Sequence, residues 1–361
     1  MSDAPLLQHW PMPSAPRPIV IVGTGGIVTD AHLPAYRKAG FAVAGVHDLD
    51  VARARAVAEK WGIPQVFETL EEAAAQPCVF DVAAPPLAHR RILSVLPEGA
   101  TVLIQKPFGL DLEEATALRA LCRERRLTAA INFQLRFAPM MLAMRNALER
   151  GLLGDPVEIE VHVNLTTPWH LFPHLRPNPR VEIVSHSIHY LDTIRALVGE
   201  PRGVFARTMG HPSSELAQTR TSAILDYGDS LRVLLSINHH HDFGRRFQDA
   251  SFRVEGTRGA AIAKLGVLLD YPHGEPDELW IRPSGEDWRN LPLEGAWFPD
   301  AFVGPMANLQ RHAAGEDDRL HTGFEDAWKT MALVEALYRA NEAPGTPIPR
   351  DGDNEGDQSR A

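Results

Sequence analysis

The feature that most constrains this chain is a series of short, largely apolar segments, most of them ending at glycine, proline or a polar residue and followed by a helical stretch. Ile19-Val-Ile-Val22 stops at Gly23-Thr-Gly-Gly26, and a helical pattern runs from Ala31 to Ala39 before Gly40. Phe41 to Val46 ends at His47-Asp48 and leads into Val51 to Trp61, which lacks Gly and Pro. Val79 to Ala84 ends at Pro85-Pro86, with a helix following to about Leu96. Thr101 to Gln105 ends at Lys106-Pro107, with a helix from Leu112 to Arg126, and Thr128 to Phe133 closes the series. Apolar runs without alternation are strands buried on both faces, and strands alternating with helices form a parallel sheet covered by helices. The expected fold is α/β, opening with a doubly wound Rossmann domain over residues 18–136.

Past a helix from about Pro139 to Arg150, Gly151 and Gly154 mark a boundary and the pattern changes. Val157, Ile159, Val161, Val163 and Leu165 alternate with Glu158, Glu160, His162 and Asn164, which describes a strand with one dry and one polar face. Further strand-like runs at Gly203–Met209, Thr221–Tyr227, Ser230–Asn238, Ala250–Glu255 and Ala260–Lys264 are close enough for hairpins. Helices are expected at Ile188–Val198 and Phe324–Ala340. Residues 137–349 therefore read as a second α/β domain with an open mixed, largely antiparallel sheet. Residues 1–17 read as an extension, disordered or packed on, and residues 350–361 as a frayed polar tail. A chain of 361 residues accommodates this division. Its formal net charge of -10 argues against nucleic acid or an anionic membrane as partner. No apolar run reaches the length of a spanning helix, and two cysteines, Cys78 and Cys122, suit a reduced, cytoplasmic setting.

The strand ends carry the chemistry. Gly23-Thr-Gly-Gly26 follows a strand and opens a helix, the context in which backbone N–H groups cradle a pyrophosphate. The third glycine of the strict pattern is replaced by Val28. Asp48, at the end of the second strand, is placed to accept ribose hydroxyls, which favours NAD over NADP; Arg53 and Arg55 nearby keep NADP open. His89 either touches the cofactor or packs in the helix after Pro86. Lys106 sits at the carboxyl end of a deeply apolar strand, where open α/β sheets bind ligands. Held beside a nicotinamide it could stabilise a substrate alkoxide. His189 lies in Ser185-His-Ser-Ile-His-Tyr-Leu-Asp192, where Asp192, three residues on, could orient the imidazole for proton transfer. Trp169 and Arg180 precede this helix as a candidate substrate rim, and Arg136 either contacts ligand or bridges the domain junction. In His239-His-His241 only two imidazoles share a strand face, too few for a metal centre.

These motifs resemble the glucose–fructose oxidoreductase / inositol dehydrogenase / rhizopine-catabolism (Gfo/Idh/MocA) family over roughly residues 18–345. The resemblance rests on Gly23-Thr-Gly-Gly26 with His32, Asp48, Pro85 to His89, Gln105-Lys-Pro107, Asn132-Phe-Gln-Leu-Arg-Phe137, the Gly151–Gly154 boundary, and His189 with Asp192 and Gly199. It implies NAD(P)-linked oxidation of a ring alcohol in a sugar or cyclitol, with Lys106 and His189 catalytic. It also implies a cis bond before Pro107 and a homodimer or homotetramer. The expected cofactor contacts are Gly23, Thr24, Gly25, Gly26, Ile27, Val28, Asp48, Arg53, Ala84, Pro85, His89, Gln105 and Lys106. The expected substrate contacts are Lys106, Asn132, Arg136, Trp169, Arg180, Ser185, His186 and His189. Two departures stand out: Gln105 replaces the family's glutamate, and Ser185 replaces an aspartate four residues before the histidine. Two alternatives to net dehydrogenation follow, a tightly held NAD recycled within one turnover and a non-catalytic NAD-binding protein.

Overall fold

The computed structural model describes residues 4–172, 175–271 and 273–348. The expected polar tail at 350–361 lies outside the described residues, as do Pro173 and His174 between Trp169 and Arg180 of the candidate rim. The first sheet contains β1 (Ile19–Val22), β2 (Val43–His47), β3 (Val66–Phe67), β4 (Val79–Val82), β5 (Thr101–Ile104) and β6 (Thr128–Ile131). All neighbours are parallel, in the order β3-β2-β1-β4-β5-β6. Every residue of β1, β4 and β5 is buried, as unalternating apolar runs require. The chain reverses its direction of travel across the sheet between β1 and β4, leaving a crevice beyond their carboxyl ends.

The second sheet contains β7 (Pro156–Asn164), β8 (Gly203–Met209), β9 (Arg220–Asp226), β10 (Arg232–Asn238), β11 (Asp249–Gly256), β12 (Gly259–Lys264), β13 (Glu278–Pro283) and β14 (Arg289–Leu291). Its order is β14-β13-β12-β11-β7-β10-β9-β8, with β10 parallel to β7 and the other neighbours antiparallel. Ile159, Val161, Val163 and Leu165 are buried while the residues between them stay partly exposed, so the alternation holds from Ile159 on; Val157, expected on the dry face, is exposed. The helix Ile188–Val198 packs under β7 and carries the histidine segment on its entry turn.

Five strands and α-helices are absent from the sequence reading, one of them the single-turn helix Leu70–Ala74. β3 is two residues long and β14 is three, too short to show a period. β13 alternates buried Leu279 and Ile281 with exposed Trp280 and lies between loops rich in Pro and Gly. The helix Val303–Ala313 hides behind Gly304-Pro305; Pro305 lies in the first turn, where a missing N–H leaves no bond unmade. This helix packs on β5 and β6, and Ile131 N–H donates to Thr322 O at 2.8 Å, so late chain also covers the first sheet. The amino-terminal extension is packed on. Leu7 N–H donates to Asn146, Trp10 Nε1 to Asp317 at 2.9 Å, and Arg17 to Gln310 and the Cys78 carbonyl.

Candidate active site

The crevice between β1 and β4 is shaped by glycine. Gly23 has φ +100°, and a Cβ there would lie 2.8 Å from the Ala84 nitrogen, so the two strand ends touch only because position 23 has no side chain. Above Gly25 nothing stands within 4 Å of where a Cβ would be, leaving open space over the backbone. Ile27 leads into a wide turn, Val28–His32, that enters the helix Leu33–Ala39 with no side-chain cap. An open glycine loop against an uncapped helix start fits a pyrophosphate.

Asp48 stands at the end of β2 with both oxygens engaged. One accepts from Thr24 N–H at 2.7 Å and Thr24 Oγ1 at 2.8 Å; the other accepts from Asp50 N–H and from Arg53 Nη2 at 2.7 Å. Burial alone would raise this carboxyl, but the bonds from Asp50, Arg53 and Thr24 hold it below the ordinary carboxylate range. Arg55, by contrast, pairs with Glu68. His89 is fully buried and its Nε2–H bonds the Ala84 carbonyl at 3.0 Å; burial pushes its pKa down to about 4. It therefore packs and braces the Ala84-Pro85 turn, and the expected direct cofactor contact is corrected. A fully buried ring inside a helix has no surface to offer.

Gln105 closes a buried network. Its Oε1 accepts from Lys106 N–H at 2.8 Å, and its Nε2–H points to His32 Nε2 at 3.1 Å. On the other side of that ring, Nδ1–H donates to Asp81 at 2.7 Å, beside the Tyr36 hydroxyl at 2.8 Å. Facing Nε2, the Gln105 amide can offer an N–H, which a carboxylate cannot.

Lys106 follows, and the Lys106–Pro107 bond is cis. Its ammonium donates to the Ser185 carbonyl at 2.7 Å, across the gap between the two sheets' elements. Burial lowers its pKa from 10.5 to about 8. His189 is buried, and burial together with the Lys106 charge holds its imidazole well below the ordinary value. Its Nδ1 has no hydrogen-bond partner among the described residues. Phe133 and Trp297 meet its ring edge-on, with centroids 6.5 and 6.2 Å away. His186 lies one turn earlier, depressed by burial and then by the charges of His239, Lys106 and His189. Trp169 and His239 pack on it at 5.1 and 4.7 Å. Behind them, His239 Nδ1 accepts from Thr167 Oγ1 at 2.8 Å, and its Nε2 lies 3.5 Å from Glu182. Glu182 is fully buried and also accepts from the Ser187 and Thr221 hydroxyls.

Lys106, Ser185, His186, His189 and Trp169 are therefore gathered at one place. Three other expectations are corrected. Asp192 does not orient His189; it forms a buried, forked ion pair with Arg136, which also reaches Asp326 at 2.6 Å and the His321 carbonyl. Arg136 thus forms the junction bridge, the second of the two roles expected for it. Arg180, expected at the substrate rim, is paired with Glu335 at 2.6 Å and stacks on Tyr338. Asn132 is fully buried, its amide 3.4 Å from His32 Nε2, so it backs the glutamine network. Missed in the sequence were Trp297, Phe133 and the Glu182–His239–Thr167 chain. Of these only His239 gave a signal, since it stands in a histidine run at a strand end.

Comparison with known proteins adds to this geometry. A family model described as an oxidoreductase family with an NAD-binding Rossmann fold matches residues 17–133, and one for the GFO/IDH/MocA C-terminal domain matches residues 141–262. Inositol 2-dehydrogenase 1 of Saccharopolyspora erythraea is 33% identical, covering 91% of this chain and 94% of that protein. D-apiose dehydrogenase of Paraburkholderia graminis is 25% identical, covering 87% of this chain and 84% of that protein. Among solved structures, an Agrobacterium radiobacter oxidoreductase in complex with NAD+, L-tartaric acid and magnesium superposes with a TM-score of 0.74 at 20% identity, covering 91% and 96% of the two chains.

Proposed function

The chain belongs to the GFO/IDH/MocA oxidoreductase family, and from that premise we propose that it is an NAD-dependent dehydrogenase acting on a ring hydroxyl of a sugar, sugar derivative or cyclitol. The observation that carries the reading is the 2.7 Å bond from Lys106 to Ser185 O, which brings the lysine at the end of β5 to the segment that leads into His189. NAD bound in the β1–β4 crevice would take up or return a hydride.

The chain's own residues supply the rest. Gly23 to Val28 form the loop that receives the pyrophosphate, with Thr24 fixed by Asp48. Asp48 and Arg53 stand as one ion pair at the ribose position, which favours NAD because a 2′-phosphate would have to compete with the carboxylate for the guanidinium. His189, neutral near pH 7 because burial and Lys106 disfavour its cation, takes the hydroxyl proton. Lys106 keeps its ammonium on the oxygen that loses that proton and stabilises the developing negative charge. With Asp192 committed to Arg136, no carboxylate among the described residues pairs with the imidazole, so His189 works beside Lys106 and His186. Trp169 gives the ring of the substrate an aromatic wall beside His186. Dimer or tetramer formation through the open face of the second sheet, which carries exposed Phe205 and Ile224, is part of the same proposal.

The test is NADH formation across a panel of sugars and polyols, for wild type, Lys106→Met and His189→Ala. Removing a general base of this kind lowers kcat by about 10²–10⁴. Wild-type rates in both variants would refute the assignment.

A further inference from the structure

We propose that the substrate is a sugar acid, whose carboxylate pairs with the Lys106 ammonium inside the wall formed by His186 and His189. The proposal rests on the dehydrogenase reading and names its substrate class. Lys106 is a cation with one hydrogen-bond partner, the neutral Ser185 carbonyl, and no anionic partner among the described residues. At position 185 itself, where the family resemblance implies an aspartate, the chain offers a serine. His186 and His189 add two imidazoles and no negative charge. Glu182 is the buried carboxylate of this region, but its oxygens are taken by Ser187, Thr221 and the facing His239. A partly desolvated ammonium without a counter-ion is a standing invitation to an anion.

The donor count supports the same class. An ammonium has three N–H groups. One is given to Ser185, which leaves two, enough for the reacting hydroxyl and for a carboxylate oxygen on a neighbouring carbon. A phosphate ester fits less well, because the two arginines expected to contact substrate are already forked onto carboxylates, Arg136 on Asp192 and Arg180 on Glu335. During oxidation the carbon gives a hydride to NAD+, forming NADH, and the hydroxyl gives its proton to His189. The carbon–oxygen double bond forms and the carboxylate is unchanged.

D-Glucuronate and D-glucose share their ring hydroxyl pattern and differ in carboxylate against CH₂OH. Titration calorimetry of the full chain loaded with NADH is expected to show glucuronate binding tighter by about tenfold or more. Ser185→Asp is expected to erase that preference, and Ser185→Asn to keep it. Equal affinity for the two ligands in wild type would overturn the proposal, as would glucose 6-phosphate binding tighter than glucuronate. The same ligands offered with NAD separate the two readings. A glucuronate preference in binding without NADH formation from any ligand counts against the dehydrogenase and leaves the anion site standing. Turnover of glucose as efficient as glucuronate does the reverse.

Discussion

Replacing Lys106 by methionine is expected to make the protein more stable while removing its activity. The lysine's pKa falls from 10.5 to about 8 because burial disfavours its charge. At about 1.4 kcal/mol per pH unit, that fall bounds the unfavourable contribution near 3 kcal/mol. Lys106 is only partly buried and keeps its bond to Ser185 O, so solvent screening brings the net figure to about 1–2 kcal/mol. Methionine preserves the length of the stem and carries no charge. The unfolded chain binds the lysine proton up to its ordinary value, while the folded chain releases it near pH 8. The wild-type disadvantage is therefore complete below about pH 8 and fades as pH rises toward 10.5. Urea unfolding at pH 7 and pH 9.5 measures both halves of this claim. Lys106→Met should exceed wild type by about 1–2 kcal/mol at pH 7, with the gap narrowing at pH 9.5. A variant less stable than wild type at pH 7, or a gap that ignores pH, would refute the account of an uncompensated ammonium.

Three further perturbations probe the surrounding structure. Arg136→Met leaves Asp192 and Asp326 without their shared guanidinium and is expected to destabilise by about 3–5 kcal/mol, read as a large fall in Tm. Gln105→Leu strips partners from Lys106 N–H and His32 Nε2, with an expected loss of about 1–3 kcal/mol in urea unfolding. Gly23→Ala forces a Cβ against Ala84 N and Ala83 C at a φ of +100°, so NAD affinity measured by calorimetry should drop even where the protein stays folded.

The first sheet is legible in the sequence because β1, β4 and β5 are buried on both faces and each ends within three residues of a Gly or Pro, so composition marks its centre. β3 escapes because two residues have no period. The site divides along a similar line. Lys106 and His189 are readable since each sits at the end or start of an element whose position is itself readable. Arg136, Arg180 and Asn132 read as ligand contacts in the sequence because the protein partners they have are remote in it. Asp192 is 56 residues from Arg136, Glu335 is 155 from Arg180, and His32 is 100 from Asn132. A polar residue near a site looks identical on the page whether a ligand or a distant side chain completes it. The i, i+3 spacing of His189 and Asp192 fails for a related reason, since the forked guanidinium of Arg136 outcompetes an imidazole for a buried carboxylate.

The first described residues act as a belt buckled at both ends of the molecule. Leu7 is fastened to Asn146, Trp10 to Asp317, and Arg17 to Gln310 and to the carbonyl before β4. Those anchors lie on helix 139–149, on the loop after helix 303–313, on that helix itself, and on the central sheet. Trimming residues 4–16 would therefore loosen the seating of late chain on early chain, not merely shorten a surface segment, and an affinity tag set at residue 17 would sit where the buckle closes.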